Sequence, residues 1–272
     1  MIVVTGATGN VGRPLVRALV EAGEQVTAVS RGAADVPAGV RVHRADLAEP
    51  ASLAPALRGA KALFLLTSAD FMARGNVGDV VEVVRAAGIR RIVLLSSQGV
   101  GTGRHPSHLE DAVKGSGLEW TVLRPGNFDS NTLRWAELVR TQRMVTAPFG
   151  DVALPAVDPA DIAEVAATTL REPGHDGGTY TLTGPAPVSP RQQVAAIGEA
   201  VGEPVRFVEQ SRAEARDQML RFMPEPVVES TLDILGAPSD AERQVSPDVE
   251  RLLGRQARSF AEWAARNVAA FK

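Results

Sequence analysis

Residues 1–16 read MIVVTGATGNVGRPLV, and a short apolar run at residues 2–4 leads into three glycines at three-residue intervals, Gly6, Gly9 and Gly12. The apolar run favours a buried β-strand, and the residues after it favour a helix. Glycines at such a turn let the backbone approach a pyrophosphate closely, and the amino terminus of a helix favours its negative charge. The spacing GxxGxxG differs from GxGxxG, but the physical arrangement is the same. This stretch therefore predicts a dinucleotide site at the start of an α/β fold.

Outward from this stretch, strand-like and helical patterns alternate over about 125 residues. Helices are predicted at 10–22 and 76–87, where apolar residues recur at helical spacing and a glycine follows the last turn. Several predicted strands are nearly continuous apolar runs, which suit a parallel sheet buried on both faces. The alternation predicts a Rossmann-type doubly wound parallel sheet of the α/β class. The predicted strands are residues 2–5, 25–30, 40–43, 62–67, 91–96 and 119–123.

After residue 125 the pattern changes. We predict helices at 127–140 and from 158 to about 170, a strand at 179–182, and a mostly helical segment from 189 that prolines interrupt. Three parts are expected: an NAD(P)-binding Rossmann domain at 1–150, a helix and strand that return to its sheet at 151–183, and a smaller C-terminal substrate lobe at 184–272. The lobe is expected to cover the carboxyl edge of the sheet, where open α/β sheets bind ligands.

The end of the second predicted strand indicates which dinucleotide is bound. NAD sites usually carry an Asp or Glu there, which holds the ribose hydroxyls. Here the sequence is Val29-Ser30-Arg31-Gly32, with an arginine and no acid. A guanidinium can pair with the 2′-phosphate of NADPH, so NADPH is favoured over NADH. The alternative is that Arg31 is a solvated loop residue.

Composition and motifs exclude several classes of protein. The chain has no cysteine, which excludes disulfides and thiolate catalysis. Its net charge of −3 argues against a general nucleic-acid binder. There is no apolar run of about 18 residues that could span a membrane, no GxSxG hydrolase motif, and no metal-binding spacing among the four histidines. We expect a cytoplasmic protein with a small-molecule substrate, and a homodimer on general frequency alone.

Eight segments carry a resemblance to a known family: VVTGATGNVGRPLV, VSRG, RADL, LLSSQG, SGLEWTVLRPGNF, VDPADIAEVA, GTYTLTGP and SFAEWAARN. Through them the chain resembles the NmrA-like atypical short-chain dehydrogenase/reductases over nearly its whole length. SGLEWTVLRPGNF is fairly specific to such proteins, whereas GATGNVG is shared with extended dehydrogenases and epimerases. The group includes NADPH-dependent quinone and dye reductases, isoflavone-type reductases and redox-sensing regulators.

The resemblance implies a set of cofactor contacts. Two positions keep an alternative: Asp46 could only cap a turn, and Phe128 could be a core residue. The implied residues are Gly6, Thr8, Gly9, Asn10, Val11 and Gly12 at the pyrophosphate, Arg31 at the adenosine phosphate, Asp46 and Leu47 beside the adenine, Leu66, Thr67 and Ser68 on the ribose side, Ser96 and Ser97 near the nicotinamide, and Pro125, Gly126, Asn127 and Phe128 against its face.

The proton-donating Tyr-x-x-x-Lys pair of the wider superfamily is absent. Tyr180, the only tyrosine, lies in a predicted strand and has no lysine four residues on. Isoflavone-type relatives carry a lysine before SGLEWTVLRP; counting back from Ser116, its place falls near His108, while Lys114 is expected to be solvated. His108 is therefore a candidate proton donor. The alternative is that His108 or His105 is only a surface residue at a helix start.

The missing acid bears on the substrate. Ketone reduction forms a basic alkoxide that needs a proton at once, and loss of a positioned acid typically costs about 10²–10⁴ in rate. A quinone or cationic dye gives a delocalised anion or a neutral product, which solvent can protonate later. The sequence thus predicts an NADPH-dependent reductase that transfers a hydride to a quinone-like or conjugated small molecule. The alternatives are a non-catalytic NADP(H)-sensing regulator and a biosynthetic tailoring reductase or isomerase.

Substrate-pocket residues are predicted by analogy with relatives, which lower an apolar wall over the nicotinamide. Each of them could instead be a core residue. The candidates are Asn131, Leu133, Trp135 and Met144 on one side and Phe222, Met223 and Pro224 on the other.

Overall fold

The computed structural model describes residues 1–33, 35–68, 71–72 and 75–272. This part of the chain divides into two compact units, each built from segments that are separated in sequence. The boundaries predicted at 150 and 183 divide the chain into contiguous parts, because a hydrophobic pattern does not show where a chain leaves a sheet and returns to it. The first unit comprises Met1–Pro125, Pro159–Leu182 and Asp248–Gly254, and the second comprises Gly126–Asp158, Thr183–Pro247 and Arg255–Lys272.

Within the described residues, a seven-stranded parallel sheet organises the first unit. The strands of the chain are β1 (Ile2–Thr5), β2 (Val26–Ser30), β3 (Arg41–Arg44), β4 (Ala62–Leu65), β5 (Arg91–Leu95), β6 (Glu119–Pro125), β7 (Met144–Ala147), β8 (Gly178–Leu182) and β9 (Arg206–Glu209). The sheet has the order β3-β2-β1-β4-β5-β6-β8. The order changes direction between β1 and β4, which marks the crevice where doubly wound sheets bind ligands. The predicted Rossmann-type α/β fold is confirmed.

The central strands are buried along their whole length, as their apolar sequences require. Every residue of β1, β2 and β4 is buried, whereas β3 at the sheet edge is mostly exposed. Leu63, Ile92 and Val122 share one hydrophobic core with the flanking helices. Full burial of such a side chain contributes roughly 1.5–3 kcal/mol to folding. The packed sheet therefore holds the carboxyl ends of its strands in fixed register.

Two of the helices are those that the sequence predicts at 10–22 and 76–87. The helices whose bounds lie within the described residues are α1 (Gly12–Glu21), α2 (Ala54–Leu57), α3 (Val77–Ala86), α4 (Gln98–Gly101), α5 (His108–Lys114), α6 (Ala136–Gln142), α7 (Pro159–Arg171), α8 (Pro190–Val201), α9 (Arg212–Met219), α10 (Glu225–Gly236), α11 (Asp240–Arg243), α12 (Asp248–Leu253) and α13 (Phe260–Arg266). On one face α1 buries Leu15, Val16 and Leu19. The chain leaves it through Gly23 with φ of +79°, a left-handed conformation that glycine adopts readily.

The predicted lobe at 184–272 is mostly helical, as expected, but the second unit also contains two short strands. Strands β7 and β9 pair in parallel, with Met144 opposite Arg206, and the sequence analysis missed both. The helix predicted at 127–140 begins as a 3₁₀ segment, Asp129–Trp135, and becomes α-helical only in α6. Strands of four residues, and a tightened first turn, both leave weak sequence signals.

Candidate cofactor site

The glycine loop between β1 and α1 is too tight for side chains at two of its positions. The Gly9 N–H donates a hydrogen bond to the Gly6 carbonyl oxygen at 3.0 Å and closes a turn. Gly6 has φ of +62°, and a Cβ there would lie 2.7 Å from Leu66 Cδ2. A Cβ on Gly12 would lie 2.1 Å from the Gly6 carbonyl oxygen. The loop therefore brings bare backbone to the helix start, as a phosphate cradle requires.

The amino terminus of α1 lacks the side-chain caps that begin other helices of this protein. Val11 precedes the helix, no side chain of the described chain caps it there, and its first turn carries no acid. By contrast, α8, α9, α11 and α13 begin with serine capping boxes. The first N–H groups of a helix lack intrahelical acceptors, and the helix dipole favours an anion at this end. The start of α1 therefore suits a pyrophosphate.

A cavity of about 190 Å³ opens at the carboxyl ends of β1, β2 and β4. Its lining brings together many of the residues that the resemblance implies. The residues shared with that prediction are Gly6, Thr8, Gly9, Arg31, Asp46, Leu47, Leu66 and Ser68. Thr5, Val29, Ser30 and Ala45 also line the cavity and were not singled out. Since Thr5, Val29 and Ser30 lie at the carboxyl ends of predicted strands, position along the strand was a signal that could have found them.

The tip of β2 carries positive charge into this cavity. Among the described residues of the lining, Arg31 is the cation, and it is exposed. The Ser30 hydroxyl donates to the Gly32 carbonyl oxygen at 2.6 Å, which holds the turn that presents Arg31. No acid stands at the tip of this strand. The arrangement suits a phosphate on the adenosine ribose better than a free hydroxyl.

Asp46 both lines the cavity and caps a turn. Its Oδ1 accepts a hydrogen bond from the Ala48 N–H at 3.0 Å. Its own N–H donates to Ser52 Oγ at 3.0 Å, and the Ser52 hydroxyl donates back to the Asp46 carbonyl oxygen at 3.0 Å. The alternative that the sequence left open, a turn cap, is therefore present, and this bonding fixes the loop that carries Leu47.

The hydroxyl of Thr5 ties the glycine loop to the end of β4. It accepts from the Leu66 N–H at 2.8 Å and lies 3.0 and 3.1 Å from the Leu66 and Phe64 carbonyl oxygens. These bonds place Leu66 against Gly6, where the cavity has its apolar wall. The glycine cradle, the positive β2 tip and the apolar wall together fit the adenosine and pyrophosphate portion of NAD(P)H.

The other implied cofactor residues of the first unit lie outside this cavity lining. Asn10 is exposed and Val11 is buried at the start of α1. Thr67 is half-buried just after β4, and Pro125 is buried at the end of β6, where it pairs with Leu182. Their predicted contacts remain predictions.

Two serines follow β5 and have different partners. The Ser96 hydroxyl donates to Glu110 Oε1 at 2.7 Å. Ser97 Oγ lies 3.1 Å from His105 Nδ1 and accepts from the Gly99 N–H at 3.1 Å. The sequence analysis did not connect either serine with these groups, because the partners lie 8 to 14 residues further on.

Glu110 is a buried carboxylate surrounded by cations. Only 1% of it is exposed. Arg124 donates to its two oxygens at 2.8 and 2.7 Å, and Lys114 Nζ donates at 2.8 Å. Burial alone would raise the pKa of Glu110, but the hydrogen bonds from Arg124, Lys114 and Ser96 outweigh it and hold the pKa at about 2. Lys114, which was expected to be solvated, keeps 32% of its side chain exposed and also contacts Glu110 one turn earlier on α5.

The two candidate histidines occupy different environments. His108 is exposed at the first position of α5, and no hydrogen bond of its side chain is found within the described residues. His105 is the histidine that contacts Ser97.

Tyr180 is a sheet residue, as predicted. It lies in β8 and is 9% exposed. Its hydroxyl is 3.0 Å from His175 Nδ1. Its hydroxyl therefore contacts a histidine of the same unit and does not form the Tyr-x-x-x-Lys pair of the wider superfamily.

The remaining predicted residues belong to the second unit, which contains Gly126–Asp158. Asn131 Nδ2 donates to Asn127 Oδ1 at 2.7 Å, and half-buried Phe128 forms a bridge with Val157. Trp135 is 4% exposed, which places it in the core of this unit with the partly buried Leu133. Met144 lies in β7, and Arg206 Nη2 is 3.0 Å from its sulfur. Phe222 is 67% exposed, and Met223 packs against a small apolar cluster. The two remaining residues are Gly126, which precedes Asn127, and Pro224, which precedes α10.

No described helix is long and apolar enough to cross a bilayer. No group of three or more His, Cys, Asp or Glu side chains in the described ranges could hold a metal ion.

Comparison with known proteins agrees with the geometry of the cavity. A family model described as NAD(P)H-binding matches residues 6–173. Over its whole length the chain is 37% identical to a (4-alkanoyl-5-oxo-2,5-dihydrofuran-3-yl)methyl phosphate reductase of Streptomyces griseus and 33% identical to an NAD(P)H azoreductase of Xenophilus azovorans, each covered to 99%. An NADPH-dependent quinone oxidoreductase of Escherichia coli, solved with NADPH, matches with a TM-score of 0.80 and 26% identity over 98% of this chain and 99% of that one.

Proposed function

Since the chain belongs to the NAD(P)H-binding family and, within it, to the NmrA-like atypical short-chain dehydrogenase/reductases, we propose that it is an NADPH-dependent reductase of conjugated small molecules. The observation that carries the cofactor assignment is the cavity at the ends of β1, β2 and β4, where a bare glycine loop faces an arginine at the β2 tip. The start of α1 would bind the pyrophosphate, and Arg31 would pair with the 2′-phosphate.

The substrate class follows from chemistry and from the relatives. NADPH supplies a hydride. The Streptomyces griseus relative is named for an oxo-dihydrofuran that carries an alkanoyl group, and the others for an azo compound and a quinone. Each of these acceptors spreads the incoming electron pair over a conjugated system. A chain without the Tyr-x-x-x-Lys acid suits such acceptors better than a simple ketone.

One assay separates this proposal from its main alternative. NADPH absorbance is followed with the purified protein and a panel containing a benzoquinone, an azo dye, an acyl butenolide and a simple ketone. Oxidation of NADPH with the conjugated acceptors, and not with the ketone, is the expected result. Tight NADPH binding without oxidation by any acceptor would refute the reductase and favour a non-catalytic NADP(H)-sensing regulator.

Two further expectations remain part of the proposal. The protein is expected to be a cytoplasmic homodimer, which cell fractionation and light scattering would test. The sequence offers His108 as a candidate donor of the proton to an enone, and enone turnover of H108F tests that candidate.

A further inference from the structure

A short loop after β5 holds a serine against a histidine. Ser97 Oγ and His105 Nδ1 are 3.1 Å apart. The Gly99 N–H donates to the same Oγ at 3.1 Å, and the His105 N–H donates to the Gly99 carbonyl oxygen at 2.9 Å. Three residues of one loop thus fix the imidazole next to the hydroxyl.

Gly99 is the residue that makes room for the imidazole. It lies in α4, where alanine would be favoured over glycine by roughly 1 kcal/mol. A Cβ at this position would lie 2.5 Å from His105 Nδ1 and 2.8 Å from its Cε1. A residue without a side chain is therefore needed at position 99 for the His105 imidazole to lie where it does.

Whether the Ser97 hydroxyl donates its hydrogen bond to His105 depends on the protonation of His105 Nδ1. A serine hydroxyl has one donor and two acceptor positions. The Gly99 N–H occupies one acceptor position. When Nδ1 carries no proton, the hydroxyl donates to it. When His105 is an imidazolium, Nδ1–H fills the second acceptor position, and the Ser97 hydroxyl donates elsewhere.

The pair lies at the ligand edge of the sheet. Ser97 follows β5, which pairs in parallel with β4, so both strands end at the same edge. Leu66 and Ser68, which follow β4, line the cofactor cavity. Ser97 is therefore one strand away from that cavity, on the side opposite the adenosine-phosphate end at β2.

From this geometry we propose that Ser97 protonates the substrate oxygen and that His105 is the positioning residue that replaces its proton. The inference rests on the proposed function. The β-carbon of a conjugated carbonyl accepts the hydride with its electron pair, and the π electrons move to the carbonyl oxygen. The Ser97 Oγ–H proton passes to that oxygen, the His105 Nδ1–H proton passes to Oγ, and solvent returns a proton to the exposed imidazole. The enol then tautomerises to the saturated carbonyl product.

Charged groups around this loop belong to three elements. Arg104 is the neighbour of His105 in the chain. Arg124 of β6 approaches Gly101, where a Cβ would lie 2.9 Å from its Nη1. On α5, Glu110 binds that arginine, and the Asp111 carboxylate accepts from the Ser107 hydroxyl at 2.7 Å.

The test compares H105F, S97A and G99A with R41A, at an exposed position at the start of β3, as the control, and with H108F as the variant of the competing donor. With an acyl butenolide or enone, kcat should fall by about 10² or more in the first three variants. Turnover of a benzoquinone should be unchanged, because its anion is protonated later. NADPH affinity, measured by fluorescence titration, should be unchanged in H105F and R41A. R41A should match the wild type with every acceptor, and a loss of enone turnover in H108F without one in H105F would assign the proton transfer to His108 instead.

A spectroscopic readout reports the contact without cofactor or turnover. Nitrogen-15 spectra of the four imidazoles should show a shifted Nδ1 resonance for His105 alone in S97A. An unshifted His105 resonance in S97A overturns the inference, as do equal losses with enone and quinone, unchanged enone turnover in H105F, or a loss confined to H108F. If the wild type itself reduces no acceptor, the proposed function fails instead, and the nitrogen shift still reports whether the pair exists.

Discussion

Replacement of Arg31 tests how the protein distinguishes NADPH from NADH. The guanidinium is exposed at the rim of the cavity, so the surrounding water weakens its attraction for a phosphate. Two unit charges about 4 Å apart interact by about 1 kcal/mol in water and by about 4 kcal/mol near a protein surface. Hydrogen bonds to charged groups contribute about 1.5–3 kcal/mol. We therefore expect Arg31→Ala to weaken NADPH binding by about 1–3 kcal/mol, or roughly 5- to 150-fold.

NADH lacks the 2′-phosphate, so its affinity should change little in the same variant. Arg31→Asp should lower NADPH affinity further, because like charges repel, and should raise NADH affinity, because a carboxylate can hold the ribose hydroxyls. Isothermal titration with both nucleotides at low and high salt provides the measurement. Since screening acts on exposed charges, the difference between wild type and variant should shrink at high salt.

Arg41 is the matched control, because it is an exposed arginine of the same sheet at the start of β3, away from the carboxyl edge. Arg41→Ala should bind both nucleotides as the wild type does. Equal losses of NADPH and NADH affinity in Arg31→Ala would show that Arg31 does not recognise the phosphate. A loss in the control of the same size would refute the local electrostatic reasoning altogether.

Three further predictions follow from side-chain surroundings. Gly12→Ala should weaken NADPH binding and lower the free energy of unfolding by about 1–3 kcal/mol, because its Cβ would meet the Gly6 carbonyl oxygen. Gly32 has open space around it, so Gly32→Ala should change neither the NADPH affinity in a titration nor the free energy of unfolding in urea. The pKa of Glu110 is held at about 2 in the folded protein against 4.5 for an ordinary glutamate, so the stabilisation that its charge provides is present above pH 4.5 and is lost as pH falls through about 2. In urea unfolding, Glu110→Gln should have a lower free energy of unfolding near neutrality and should lose less of it as pH falls. Identical dependence of the free energy of unfolding on pH in variant and wild type would contradict this. Tyr180→Phe should keep wild-type kcat with quinone and enone acceptors, and a large loss of kcat in stopped-flow assays would return Tyr180 to the reaction.

The first unit could be predicted from the sequence because its signals are strong and local. β1, β2 and β4 are buried apolar runs, and the glycine loop identifies the ligand edge between them. Thr5 and Ser30 were missed as site residues because threonine and serine are also common at the ends of strands that bind no ligand. Strands β7 and β9 were missed because each has only four residues and pairs with a strand about 60 residues away along the chain.

Side-chain assignments were less predictable than backbone elements. The sequence does not show that Glu110 is buried, so the contact of Lys114 with a buried carboxylate could not be predicted. The four-residue spacing of Glu110 and Lys114 did indicate that the two side chains lie on one face of a helix. Counting along the sequence pointed to His108, whereas the hydrogen bond to Ser97 belongs to His105, which depends on the path of a loop. Trp135 was placed in the pocket by analogy, but a core position satisfies the same apolar pattern.

The interleaving of the two units along the chain has a consequence for synthesis. The nucleotide cleft is encoded within the first 68 residues, yet its sheet gains β8 only near residue 180. Helix α12 then joins the same unit, and Asp248 accepts a hydrogen bond from the Thr181 N–H at 2.8 Å. No single cleavage of the backbone separates one unit from the other. A ribosome must therefore release residues up to 254 before the nucleotide-binding half is complete, and a nascent chain halted at residue 183 would expose the unfinished outer edge of the sheet to chaperones.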